Sequence, residues 1–248
     1  MNNIYIYNDS FISMLNLIDF LINNNITPHN IKNTNYNSTL FDNLINLDTK
    51  YDEDILDKID KIILKYLYYV FISNNINKEL IIYYFYKNYL KFGIKVLNMF
   101  NLKCVLNTRK ISKYVRNEVH KYKGFIRFKE LKNKCLYAEI EPVNNILFLV
   151  SNHFKNRLKS DYWIIKDNKY NLISIYDKKD FYIFNSNKFK LLDSTLNNYE
   201  VFYQNLWKDF YKTIGIETRK NDKCRMSFMP KRYWKYLIEM EDDNEKSN

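Results

Sequence analysis

Three glycines and three prolines are all the punctuation available to this 248-residue chain. Those two residue types supply most left-handed turns and hard stops, so the boundaries between elements carry few fixed marks. The rest of the composition leans toward Asn, Ile, Lys and Tyr, the bias of an AT-rich genome. The 23 tyrosines follow from that bias more simply than from a set of stacking platforms. Two blocks stand out against it, Glu118-Val119-His120-Lys121-Tyr122-Lys123-Gly124-Phe125-Ile126-Arg127-Phe128 and Met229-Pro230-Lys231-Arg232-Tyr233-Trp234-Lys235-Tyr236-Leu237. Between them they gather His, Gly, Arg, Pro and Trp, which are scarce elsewhere, and they mark where function is expected.

With 46% hydrophobic residues the chain can close a real core, so a globular protein is expected. No segment has the roughly 18 uncharged apolar residues of a membrane span. The N-terminus also lacks the basic-then-apolar order of a signal peptide. The expectation is a cytoplasmic protein with no membrane partner. Cys104, Cys135 and Cys224 are odd in number and far apart, which leaves neither a disulfide framework nor a Cys-x-x-Cys motif. No cofactor or metal is implied, because Gly93, Gly124 and Gly215 are isolated and His120, His153 and Cys135 lack the close spacing of ligand pairs.

The net charge of +11 is unevenly placed. Residues 1–102 carry 9 basic and 10 acidic side chains, residues 103–170 carry 16 and 6, and residues 171–238 carry 13 and 7. Lysine bias alone would charge all three parts alike, so this asymmetry points to a positive surface made by the second and third parts, suited to a polyanion. The alternative is lysine spread over solvated faces. The acidic end, Glu239-Met240-Glu241-Asp242-Asp243-Asn244-Glu245, reads as a disordered solvating tail over 241–248.

Local patterns predict an α+β fold. Ile4 to Tyr7 alternates as a short strand, and Asp9-Ser10 can cap a helix through Phe11, Leu15 and Ile18. Residues 23–50 read as a loop, and helical spacing returns at Ile55–Val70, Lys78–Leu90 and Gly93–Leu102. Thr108 is expected to cap the next helix and Gly124 to end it, with Ile111, Tyr114, Val115, Val119 and Tyr122 inward. Arg109, Lys113, Arg116 and His120 then share one face, a candidate phosphate-contacting ridge or a plain solvated one.

A strand at Phe125–Lys129 and another at Cys135–Ile140 form a predicted hairpin, and Glu141-Pro142 signals a helix start with Val143, Ile146, Leu147, Val150 and Phe154 inward. A second hairpin pairs Trp163–Lys166 with Leu172–Tyr176. Residues 180–198 read as loop, Glu200–Ile214 as a helix burying Tyr203, Leu206, Trp207 and Phe210, and Pro230 as the start of the last helix. The expected whole is a single α+β domain over 1–240. It has a mostly helical part with one short strand (1–102), packed on a basic β-β-α-β-β antiparallel unit (103–178), and C-terminal helices (199–240).

Ordered blocks along nearly the whole chain resemble a known family. They are Tyr7-Asn8-Asp9-Ser10-Phe11, Glu118 to Phe128, Leu136-Tyr137-Ala138-Glu139-Ile140-Glu141-Pro142, His153-Phe154 with Arg157, Trp163-Ile164-Ile165 with Asp167, Leu206-Trp207, and Met229 to Leu237. The resemblance is to bacterial DNA-repair or DNA-metabolism proteins that are typically encoded beside a radical-SAM protein for DNA modification or repair, and that also occur fused ahead of a uracil-DNA-glycosylase-like domain. It implies a role in DNA metabolism beside that radical-SAM partner. The glycosylase-like domains carry their own motifs, and this chain has neither an Asp-Pro step nor His-Pro-Ser: its prolines follow Thr27, Glu141 and Met229. It is not expected to be the glycosylase itself.

The expected DNA contacts are Arg109, Lys113, Arg116, Lys123, Arg127, Arg157, Arg219, Arg225, Lys231 and Arg232. Between Arg219 and Lys235 seven cations face the single acid Asp222, interleaved with Tyr233 and Trp234. Cations position phosphates, and aromatic faces can stack on bases. Trp234 is expected in the core and Arg232 at the contact. For an enzyme of another kind, acting alone on a nucleobase or nucleotide, His120, His153 and Glu118 are the acid-base candidates. Glu118 and His120 are two apart on a helix and do not share a face. A third reading is a protein-only adaptor whose basic face meets an acidic partner.

Overall fold

A computed structural model of the chain describes residues 2–39, 41–47, 51–188, 195–219 and 221–240. It divides into two compact units, Met1–Asn117 and Glu118–Asn248. The acidic tail at 241–248 lies outside the described residues.

The first unit opens with β1 (Asn2–Tyr7), then α1 (Phe11–Asn23), whose N-terminus is capped by Ser10 Oγ accepting from Ser13 N at 3.1 Å. Residues 23–50, expected as loop, hold two further strands, β2 (Asn30–Asn33) and β3 (Asp42–Asn46). Both pair parallel with β1, in the order β2-β1-β3. As the central strand of a parallel sheet, β1 is buried on both faces, and Ile4, Tyr5, Ile6 and Tyr7 all sit inside. The one expected strand is therefore the middle of three.

The sheet shares its core with α1, α2 (Lys61–Phe71) and α3 (Lys78–Phe92). Gly93, at φ +59°, ends α3, and a 3-10 turn over Gly93–Asn98 replaces the helix expected there. Inside the core Glu79 accepts from Tyr7 Oη at 3.3 Å, and Lys32 Nζ lies 3.9 Å from its second oxygen.

Helix α4 (Lys103–Phe125) starts five residues before Thr108 and runs through Gly124. Thr108 is buried in its interior, not a cap, and the buried stripe is Val105, Thr108, Ser112, Val115, Val119 and Tyr122, with Tyr114 outside it. Gly124 takes no left-handed φ, because the helical ladder continues past it with Ile126 N bonding Tyr122 O at 3.0 Å. The boundary between the two units falls within α4.

The second unit is built on a five-stranded sheet, ordered β4 (Lys129–Glu130), β5 (Leu136–Ile140), β6 (Trp163–Asp167), β7 (Leu172–Tyr176) and β8 (Phe181–Asn185). The β4–β5, β6–β7 and β7–β8 pairs are antiparallel. Helix α5 (Leu147–Arg157) carries the chain across between β5 and β6, so that pair runs parallel, with Ile140 opposite Asp167. Strand β8 occupies what was expected as loop. Alternation along the strands divides the sheet's faces: Ala138, Ile140, Trp163, Ile165, Asp167, Ser174 and Tyr176 share one parity and are buried, while Cys135, Ile164 and Ile173 cluster on the other. Ser151 of α5 meets Ser174 of β7 in a buried 2.8 Å hydrogen bond.

Beyond the sheet come α6 (Asn198–Thr213), α7 (Asp222–Phe228) and a 3-10 segment Lys231–Tyr236 in place of the helix expected after Pro230. Trp234 is buried as expected and clusters with Leu237 and Met240. Helix α6 contradicts its expected orientation. Tyr203, Leu206, Trp207 and Phe210 are all exposed, and none of its residues is buried. Among the described residues its contacts lie largely elsewhere on the helix: Glu200 accepts from Glu130 N at 3.0 Å, Trp207 Nε1 donates to Glu239 of the final turn Ile238–Met240 at 3.3 Å, and Tyr211 joins the Trp234 cluster. Among the described residues no helix is long and apolar enough to cross a membrane.

Candidate functional site

The densest polar chemistry of the second unit gathers at the carboxyl ends of the parallel pair β5 and β6, the end of such strands where ligands commonly bind. Glu118, from the last third of α4, is buried there. Its Oε1 accepts from Val143 N at 2.8 Å, and its Oε2 from Asn144 N at 3.0 Å and Asn144 Nδ2 at 2.6 Å. Pro142 does not start a helix; α5 begins only at Leu147, and the amides after Pro142 are held by Glu118. Glu118 thereby holds the loop that follows β5.

Asp167 ends β6 and is fully buried. Its Oδ1 accepts from Lys169 N at 3.0 Å and Tyr170 N at 3.1 Å, closing the turn into β7. Its Oδ2 is buried and has no hydrogen-bond partner among the described residues. Burial, with a smaller contribution from the negative charge of Glu118, pushes its pKa up to about 6. Lys169 Nζ and Tyr170 Oη both donate to Val143 O, at 2.8 and 2.7 Å, so the two loops are tied together across the cluster. Burial likewise pushes the Tyr170 phenol up to about 12. Nearer the surface, Asn168 Nδ2 donates to Tyr236 Oη at 3.0 Å, and Tyr236 Oη and Lys235 Nζ donate to Glu141 at 3.1 and 2.6 Å. The Lys235 contact holds the Glu141 carboxyl below its usual range.

The three acid-base candidates separate. Glu118 is committed to the loop, His120 is exposed on α4, and no hydrogen bond or ring contact joins His120 to Glu118 or His153 among the described residues. His153 is half-buried on α5 beside the Phe154 ring, with Nε2 buried and unpartnered among the described residues. Its pKa is lowered by burial first, then by the positive charges of Lys123 and Arg157. The fold thus brings Lys123, from the end of α4, and Arg157, from the end of α5, within electrostatic reach of His153.

The other expected DNA contacts vary in availability. Lys113 and Arg116 are exposed on α4 in the first unit. Arg109 turns away from that ridge, donating to Leu97 O at 2.8 Å with its guanidinium 4.9 Å from the Phe100 ring centre. Arg127 is held by Glu239 at 2.8 Å, and Arg225 pairs with Asp222 at 3.0 Å while stacking on Trp234. Lys231 and Arg219 are exposed, and exposed Arg232 donates to Tyr233 Oη at 2.8 Å. A cavity of about 710 Å³ opens between α6 and α7, with Lys212, Arg219 and Arg225 on its wall.

Residues 76–239 match the family model described as domain of unknown function DUF4130. The chain belongs to the DUF4130 family. No curated protein and no solved structure matches the chain. The DUF4130 segment runs from just before α3 to the last described turn, so every site residue named above lies inside it and the β2-β1-β3 sheet lies outside.

Within the DUF4130 segment, Asp167 and its neighbours Asn168, Tyr170 and Tyr236 are the site residues that sequence reasoning passed over. A signal was present. Asp167 shares the two-residue parity of Trp163 and Ile165, so a carboxylate sits on the inward face of an apolar strand, where an ionised group is costly.

Proposed function

We propose that this protein binds DNA through the basic surface of its second unit and serves as the accessory or substrate-presenting partner of a radical-SAM enzyme in DNA repair or modification, in the cytoplasm. The observation that supports DNA best is the grouping of Lys123, His153 and Arg157. Lys123 and Arg157 both act on the His153 imidazole through their positive charge, and its buried Nε2 has no hydrogen-bond partner among the described residues, so an anion drawn to the two cations is favoured beside that ring. With its pKa depressed, His153 is neutral at pH 7 and becomes a third cation only as the pH falls below its ordinary value of 6.5. The radical-SAM partner rests on the resemblance of the sequence blocks to proteins encoded beside such an enzyme.

Two measurements test this reading. Lys123→Glu with Arg157→Glu should weaken duplexes of unrelated sequence alike and lower the salt dependence by about two phosphate contacts, because backbone contacts carry no sequence information. Affinity should rise on acidification in wild type but not in His153→Ala. DNA binding indifferent to all three changes would remove this group from the interface. Co-purification with the radical-SAM enzyme, or a rise in that enzyme's activity on DNA, tests the partnership. If the two proteins neither associate nor affect each other, the accessory role fails.

The second reading, an enzyme acting alone on a nucleobase or nucleotide, draws on Asp167, a buried carboxyl with a pKa of about 6 and one oxygen uncommitted among the described residues. Such a group can exchange protons near neutral pH. Turnover of a nucleotide without any partner, abolished in Asp167→Asn, would favour it.

A further inference from the structure

The sheet of the second unit has two edges, and the chain treats them differently. At the β4 edge Leu131 bridges to Leu196, while Lys132 N donates to Thr195 O at 3.1 Å and Asn197 N to Glu130 O at 3.0 Å, so a later segment closes the ladder. At the other edge stands β8, with no strand beyond it among the described residues.

The bonding between β7 and β8 fixes which groups of β8 look outward. Ser186 N donates to Asn171 O at 2.7 Å and Asp177 N to Asp180 O at 3.2 Å, and in this register the bonded positions between them are Phe184 opposite Ile173 and Tyr182 opposite Ile175. Phe181, Ile183 and Asn185 therefore turn their main-chain groups to the open edge. Asp180 Oδ1 takes the Phe181 amide at 2.8 Å. The Phe181 carbonyl, and the N–H and carbonyl of both Ile183 and Asn185, have no partner among the described residues.

Exposed edges are usually blunted by a lysine, a proline or a bulge. Phe181 to Asn187 reads Phe-Tyr-Ile-Phe-Asn-Ser-Asn, without a charge or a proline in a chain that is 27% charged. Its pairing with β7 runs unbroken from Phe181 to Asn185, so no bulge turns the edge away. Tyr182 and Phe184 share one face of the strand and are 52% and 50% exposed.

This edge is complementary to itself. An antiparallel partner centred on Ile183 sets that residue against its own copy, where each N–H meets the other's carbonyl, and it sets the Asn185 N–H of each strand against the Phe181 carbonyl of the other. Donor then meets acceptor along the strand. Between these positions Tyr182 lies opposite Phe184, at the non-bonded sites where side chains approach most closely, so the same aromatic pair forms twice.

We infer that β8 pairs antiparallel with β8 of a second copy of this chain, about a two-fold axis at Ile183, joining two five-stranded sheets into one. Assembly stops at the dimer, because a two-fold contact uses each β8 once and the β4 edge is already bridged. Five residues a side is a small contact, below the roughly 800 Å² per partner of a standard interface, so a reversible dimer with a Kd of about 100 µM is expected. The inference stands apart from the DNA reading.

Sedimentation equilibrium of the full chain, without DNA, from about 5 to about 500 µM should show the mass rising from one chain toward two. Ile183→Pro removes an outward donor and no bond to β7, and should weaken the dimer at least about tenfold. Tyr182→Glu with Phe184→Glu places like charges directly opposite each other across the axis and should do the same. Tyr182→Lys with Phe184→Glu places opposite charges there and should restore the dimer. Circular dichroism checks that each variant is folded; if Ile183→Pro is not, the two charge variants at exposed positions decide alone. A chain that stays monomeric at about 500 µM overturns the inference. So does a dimer that survives the like-charge variant, which would place self-association on another surface such as α6, or a dimer lost equally in both charge variants, which would refute the register.

Discussion

Helices α2 and α6 carry the same kind of sequence pattern and meet opposite fates. In α2 the apolar stripe Ile63, Leu67, Val70 is wholly buried, packed with α3 and the first sheet's core. In α6 the stripe Tyr199, Phe202, Tyr203, Leu206, Phe210 has equally regular helical spacing, yet Leu206 is 53% and Phe210 51% exposed. Periodicity decides which face of a helix is apolar, and the surrounding chain decides whether anything covers it. The first unit packs its helices against a parallel sheet in a continuous core, whereas the second has its cores on the sheet, α5 and the Trp234 cluster and leaves the apolar stripe of α6 exposed.

The largest expected effect is in the polar framework on which the second unit depends. Glu118→Ala would strand two backbone amides and one side-chain amide in a buried place, and should cost about 3–5 kcal/mol. All three tryptophans, Trp163, Trp207 and Trp234, lie in the second unit, so their fluorescence in a urea titration reports that loss. A loss below about 1 kcal/mol would mean that the loop after β5 finds other partners and that Glu118 is free for chemistry.

Next is the buried side of the comparison. Leu67→Ala removes a fully enclosed side chain from the first unit and should cost about 2–5 kcal/mol, read by far-ultraviolet circular dichroism because that unit has no tryptophan. If it instead proved nearly neutral, the contrast with α6 would collapse.

A smaller and pH-dependent effect belongs to Asp167. The folded state holds its proton up to a pKa of about 6, against an ordinary value of 3.8. The folded form therefore binds more protons between those values, and stability falls as pH rises from about 4 to about 6, by at most about 3 kcal/mol. Asp167→Asn keeps an acceptor for Lys169 N and Tyr170 N and cannot ionise, so denaturation midpoints of the variant should stay level across that window while those of wild type decline. Parallel pH profiles would show that Asp167 titrates as an ordinary surface acid.

The sequence was most legible where one local rule acted alone. Alternation located β6 and β7 almost to the residue, and the buried stripe of α5 was read correctly from Ile146 to Phe154 because its spacing is regular. It was least legible where a distant group overruled the local signal. Pro142 has the marks of a helix start, but the helix begins five residues later, and the intervening loop is fixed by Glu118, 25 residues away from Val143. Strands β2 and β3 were hidden because short Asn-rich edge strands owe their form to β1 between them. The site divided in the same manner. The cations stood out by charge, but only the fold shows that Arg109 and Arg127 are engaged within their own units, that the charge of Lys123 reaches His153, and that Asp167 is buried.

The smallest expected effect tests the open side of the comparison directly. Phe202 and Leu206 are 61% and 53% exposed, so truncating them removes little apolar surface that water does not already reach. Phe202→Ser and Leu206→Ser should each change stability by no more than about 0.5 kcal/mol, the ordinary range for surface positions. If either residue is covered in solution by a part of the chain or by a second copy, the same change should cost about 2 kcal/mol or more, because a buried aromatic or leucine side chain loses both transfer energy and packing. Urea titrations at two protein concentrations distinguish the two kinds of cover, since only self-association makes the midpoint depend on concentration. A near-zero cost at both concentrations would leave α6 as an apolar face held open in the folded protein.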